Sequence, residues 1–146
     1  MLIAFPPCTY LAVSGLHWNK KYPERQKKTE QALKFIQYIM NAPVKMIAIE
    51  NPVGCISSRI RKPDQIFQPW MFGEDASKKT CLWLKGLPPL EPTKLIMKSR
   101  YANQTESGQN NVGPSENRAM IRSVTYQGVA NAMAKQWSKF YERECR

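Results

Sequence analysis

The chain has 146 residues, with 22 Lys and Arg against 11 Asp and Glu, a formal net charge of +11, and a composition that is 42% hydrophobic and 23% charged. That apolar content supplies a buried core, and neither charge nor Pro/Gly content reaches the range of a disordered chain. Collagen, coiled coil and pure linker are excluded, and one globular domain over 1–146 with a basic surface is expected. Residues 1–19 carry no charged side chain, but Pro6, Pro7, Ser14, Gly15 and Asn19 break the run and no Lys or Arg precedes it. This argues against a signal peptide or membrane anchor.

In chain order, Leu2-Ile3-Ala4-Phe5 is an apolar run stopped by two prolines, which predicts a strand buried on both faces and ending in a tight loop. Glu24 to Met40 is rich in helix formers, with apolar residues at Leu33, Ile36, Ile39 and Met40. It predicts an amphipathic helix closed by Asn41 and Pro43. Lys45 to Ile49 predicts a second buried strand, followed at once by Glu50, Asn51, Pro52, Val53 and Gly54. Strand, helix, strand is a βαβ unit, whose strands lie parallel and whose two following loops share one sheet edge. Cys8 and Glu50 are therefore expected as neighbours.

Residues 55–75 read as a loop-rich excursion holding the aromatic residues Phe67, Trp70 and Phe72, a possible protein-interaction strip. Thr80 to Leu84 predicts a third strand, residues 99–118 a long polar surface loop, and Tyr126 to Tyr141 a second amphipathic helix with Val129, Met133, Trp137 and Phe140 on one face. Cys8, Cys55, Cys81 and Cys145 are widely spaced and His17 is the only histidine. Neither a metal site nor a disulfide framework is expected, and a reducing, cytoplasmic setting fits better.

Two positions stand out chemically. Pro6-Pro7-Cys8 puts a thiol just past a strand, where two fixed φ angles stiffen the backbone. Such a cysteine is either a nucleophile or a small buried filler. Glu50, directly after Met46-Ile47-Ala48-Ile49, is either an acid that binds something or a carboxylate tied to backbone amides.

Phe5-Pro6-Pro7-Cys8, followed by Ile49-Glu50-Asn51-Pro52-Val53, resembles the paired catalytic signatures of the DNA cytosine-5 methyltransferases. The wider text is similar to a compact phage- and prophage-type branch of that family. It includes Ala12-Val13-Ser14-Gly15, Arg61-Lys62-Pro63-Asp64-Gln65, Gln68-Pro69-Trp70-Met71-Phe72-Gly73, Lys79-Thr80-Cys81-Leu82-Trp83-Leu84 and Gly113-Pro114-Ser115-Glu116-Asn117-Arg118.

The resemblance implies an α/β fold with a parallel-sheet, Rossmann-like methyltransferase core, here N-terminally truncated, in a bacterial or phage-infected cell. It implies that Cys8 attacks carbon 6 of a flipped cytosine, that Glu50 engages the ring, and that S-adenosylmethionine donates the methyl group. Pro7, Asn51 and Pro52 would border the base, and Arg59 and Arg61 either stand in for an arginine-rich signature absent in its usual form or form a plain solvated basic loop. Pro6, Gly128 and Asn131 fall where relatives hold the methyl donor. Pro52 departs from the family, in which valine directly follows the asparagine, and the strand and glycine loop that lead the donor site in relatives have no counterpart here.

The implied partner is DNA, with Lys20, Lys21, Arg25, Lys27 and Lys28 meeting phosphates and Trp18, Tyr22 and Trp70 available to prop open a duplex. A second chain or another copy of this one would complete the donor half. The competing expectation is a non-catalytic DNA-binding remnant.

Overall fold

A computed structural model describes residues 1–113 and 115–144. Pro114, within one of the motifs above, and Cys145 lie outside the described residues. Strand β1 (Leu2–Ala4) runs parallel to β2 (Ile47–Pro52), with Leu2 opposite Ile47 and Ala4 opposite Ile49. The crossover between them holds α1 (Val13–Leu16), a 3-10 turn (His17–Lys20) and the long helix α2 (Pro23–Met40). Pro23 suits the first helical turn, where its missing N–H costs nothing. Helical spacing then buries Thr29, Leu33, Ile36 and Ile39 on one face, and Asn41 closes the helix.

β2 next pairs antiparallel with β4 (Thr80–Lys85), and β4 pairs antiparallel with β3 (Gln65–Phe67), giving the order β1-β2-β4-β3. The fold is α/β. Its described sheet, however, holds one parallel and two antiparallel pairs where an all-parallel sheet was expected. A continuous apolar run such as Cys81-Leu82-Trp83-Leu84 packs equally well in either direction, so its residues do not encode the sense of pairing.

Two smaller corrections bear on the site. β1 lies at the sheet's edge, and Ile3 is 38% exposed rather than buried on both faces. β2 extends three residues beyond Ile49, because β4 continues to pair with Glu50, Asn51 and Pro52. The 55–75 stretch also contains α3 (Ile56–Arg59), β3 and a 3-10 turn (Pro69–Met71).

The described chain forms two compact units. The first comprises Met1–Phe67 and Lys79–Pro89, and its core joins Leu11, Leu33, Ile36, Ile49, Cys55 and Trp83 across α2 and the sheet. The Trp83 indole N–H donates to the Arg61 carbonyl at 2.9 Å, which satisfies the polar end of a fully buried ring.

The second unit comprises Gln68–Lys78 and Leu90 onward, with α4 (Arg118–Ser123) and α5 (Gln127–Glu144). α5 buries Val129, Ala132, Met133 and Trp137. The aromatic strip is not an exposed one. Phe67 and Phe72 are buried, and Trp70 stacks on Tyr101 with ring centroids 6.3 Å apart. No helix among the described residues is long and apolar enough to cross a membrane.

Candidate functional site

Because β1 and β2 run parallel, with Ala4 opposite Ile49, the loop carrying Cys8 leaves β1 on the side where β2 continues through Glu50 to Pro52. Asn51 ties them together. It is 1% exposed, and its Nδ2 donates to the Pro6 carbonyl at 2.9 Å, across 45 positions of sequence. An amide donor buried on a carbonyl acceptor fixes the loop two residues before the thiol. The Asn51 Oδ1 is buried without a hydrogen-bond partner.

The far side of the loop is held by backbone. The Cys8 carbonyl accepts from the amides of Leu11 (3.0 Å) and Ala12 (2.9 Å), closing a turn. The chain then runs against the segment after Glu50: Cys55 N–H donates to Leu11 O at 2.9 Å and Val13 N–H to Val53 O at 3.0 Å. Gly54 lies at this contact, where a Cβ would stand 2.0 Å from the Leu11 oxygen, so only glycine fits.

Helix α2 supplies the third restraint. The Arg25 guanidinium donates to the carbonyls of Thr9 (2.6 Å) and Gly15 (3.3 Å) and covers the Tyr10 ring at 4.9 Å. Thr29, buried, donates to the Tyr10 carbonyl at 3.0 Å and accepts from Asn19 Nδ2 at 2.9 Å. The loop around the thiol is thus fixed by one side chain from β2, the backbone around Gly54, and two side chains from α2.

Of the three described thiols, Cys8 is half-buried while Cys55 and Cys81 are 7% and 1% exposed. Burial pushes the Cys55 and Cys81 thiols up, and the Glu50 charge adds to the rise at Cys81. Protonated and enclosed thiols are inert, so Cys8 is the described cysteine available for chemistry. Glu50 is half-buried, one residue from the Asn51 anchor.

The other expected residues divide. Pro7 is exposed beside Cys8, and Pro52 is the last residue of β2. Arg59 is paired with Glu30 at 2.9 Å, and Arg61 with Asp64 at 2.7 Å and with the Leu84 carbonyl. Lys27 pairs with Glu24, Lys28 lies over Tyr10, and Lys21 lies over both Trp18 and Tyr22. Lys20 lines a concavity of about 300 Å³ with Asn19, Gln26, Cys55 and Arg59. Arg25, expected to meet phosphate, donates to two carbonyls of the Cys8 loop.

Gly128 and Asn131 belong to the second unit. Gly128 N–H donates to Glu74 at 2.6 Å, and the Asn131 oxygen accepts from Gln127 at 2.8 Å. They line a cleft of about 460 Å³ with Phe72, Glu74, Lys94 and Gln136. A third concavity, of about 420 Å³, is lined by Met40, Ile47, Ile60, Trp83 and Lys85. None of these three is lined by Cys8 or Glu50.

Gly54, Thr29 and the tethering role of Arg25 escape the sequence reading. Thr29 left a signal, a hydroxyl on the apolar stripe of α2, four residues before Leu33.

No protein-family model, curated protein or solved structure matches the chain.

Proposed function

We propose that this chain carries the base-attacking half of a DNA cytosine-5 methyltransferase, with its β1–α2–β2 unit read as part of a Rossmann-like core in the cytoplasm. The observation that supports this reading is the buried Asn51–Pro6 hydrogen bond, which ties the segment leading to Cys8 to the residue after Glu50 on the neighbouring parallel strand.

The Cys8 thiolate adds to carbon 6 of an extruded cytosine, forming an S–C bond while the ring's π electrons shift towards carbon 5 and nitrogen 3. Glu50, as the acid, donates to nitrogen 3, a bond that strengthens as negative charge builds there. Carbon 5 is then nucleophilic. Without a methyl donor it takes a proton from water; loss of a proton from carbon 5 and expulsion of the thiolate restore the aromatic base.

The resemblance implies that S-adenosylmethionine supplies the methyl group. Each of the three residues expected to hold it already makes one hydrogen bond within the chain. The Pro6 carbonyl already accepts from Asn51, Gly128 N–H is spent on Glu74, and the Asn131 oxygen accepts from Gln127. A second chain supplying the donor site would complete the reaction, and a DNA-binding remnant is the competing reading.

The addition step needs no donor, so its test needs none. DNA tritiated at cytosine carbon 5 is expected to release tritium to water with the wild-type chain, and not with Cys8→Ser. Glu50→Gln is expected to lower release at least about tenfold, the scale of a lost general acid. Absence of release from wild-type protein that binds the DNA overturns the proposal and leaves the remnant reading.

A further inference from the structure

We infer that the 3-10 turn and the start of α2 form a stacking platform for unpaired nucleotides, so that the DNA this chain engages is single-stranded. The inference rests on the nucleic-acid reading above and names the form of its substrate.

Trp18 and Tyr22 are 43% and 49% exposed, with ring centroids 6.0 Å apart and planes tilted by 32°. His17 continues the row, 4.7 Å from Trp18. Three neighbouring rings, two of them large and nearly half exposed, form a surface on which bases stack whatever their identity, since every base presents a π-face. In duplex DNA those faces are closed by neighbouring base pairs; in a single strand they are open.

Cations accompany the rings. Lys21 Nζ lies 5.7 Å from the centroids of both Trp18 and Tyr22, and Lys20 is exposed beside them. An exposed ammonium over a ring is weakly held and moves readily to a phosphate, whereas stacking of a base on the vacated face is the stronger contact.

The platform is also preformed. Asn19, between Trp18 and Lys20, is hydrogen-bonded to buried Thr29, and the amides of Lys21 and Tyr22 donate to the Trp18 carbonyl at 3.0 and 2.9 Å. Binding there does not have to order the backbone first. A single strand also offers its cytosines already unstacked, which removes the extrusion cost a duplex imposes at Cys8.

The test compares a fluorescent twelve-nucleotide oligo(dT) with a twelve-base-pair duplex at equal salt, using the full chain. The wild-type protein is expected to bind the single strand at least about tenfold tighter, and Trp18→Ala to lose about tenfold on the single strand with little change on the duplex. Trp18→Phe, which keeps a ring, restores most of the loss, and Lys62→Ala, which removes a cation outside the platform, leaves the preference for the single strand intact. Equal affinity for both forms, an equal loss on both in Trp18→Ala, or tighter binding of oligo(rU) overturns the inference. Binding is read without any reaction at Cys8, so failed tritium release alongside preserved single-strand preference sinks the catalytic proposal alone.

Discussion

The Cys8 loop of the first unit and the Gly128 cleft of the second use the same devices to different ends. Each has a glycine pressed against a carbonyl, with a would-be Cβ 2.0 Å from Leu11 O at Gly54 and 2.0 Å from Phe72 O at Gly128. Each has a side chain reaching across the sequence to a backbone group, Asn51 to Pro6 and Glu74 to Gly128. Around Cys8 these restraints hold the backbone and leave a thiol accessible. Around Gly128 they occupy the glycine amide. The first arrangement leaves a side chain at the tip of a stiffened loop, whereas the second ties the glycine amide itself to a carboxylate.

The sharpest way to break that contrast is to damage both places alike. Gly54→Ala and Gly128→Ala are each expected to cost about 3 kcal/mol in urea denaturation, since the added methyl meets backbone that must move. Tritium release per folded molecule should vanish only in Gly54→Ala; equal losses would erase the distinction. Asn51→Leu, which strands the Pro6 carbonyl, is expected to cost about 2 kcal/mol and lower release at least tenfold. Arg25→Ala should cost about 1 kcal/mol and reduce release severalfold while thermal melting stays cooperative.

The smallest effect is a pH dependence away from the site. Burial opposes ionisation of Asp64, but the Arg61 guanidinium and the Leu84 amide outweigh it and hold the carboxyl below its usual 3.8. Its contribution is therefore full above that value and is lost as pH falls through the lower folded pKa. Asp64→Asn should lower stability slightly near neutrality and flatten the acid-side fall in urea midpoint. An unchanged fall would show that the pair contributes nothing.

The parts legible in the sequence were those set by periodicity and by local breaks. The α2 stripe from Leu33 to Ile39, the α5 face from Val129 to Trp137, and the strand–helix–strand order that makes β1 and β2 parallel follow from spacing alone. So does the convergence of the Cys8 and Glu50 segments, because parallel strands share an edge. The sense of β4 was not legible, since a run buried on both sides has no pattern to orient it. Nor was the use of Arg25. Among Lys20, Lys21, Arg25, Lys27 and Lys28, what separates the arginine is that two carbonyls, Thr9 and Gly15, lie within reach of its planar fork, a fact of folding rather than composition.

Thr29 owns a single proton and sits where two pieces of the chain meet. Its hydroxyl takes Asn19's amide with its lone pair and gives its hydrogen to Tyr10, two residues past the sulfur. One rivet therefore joins the aromatic shelf to the reactive turn, and a valine of equal size would unfasten both at once.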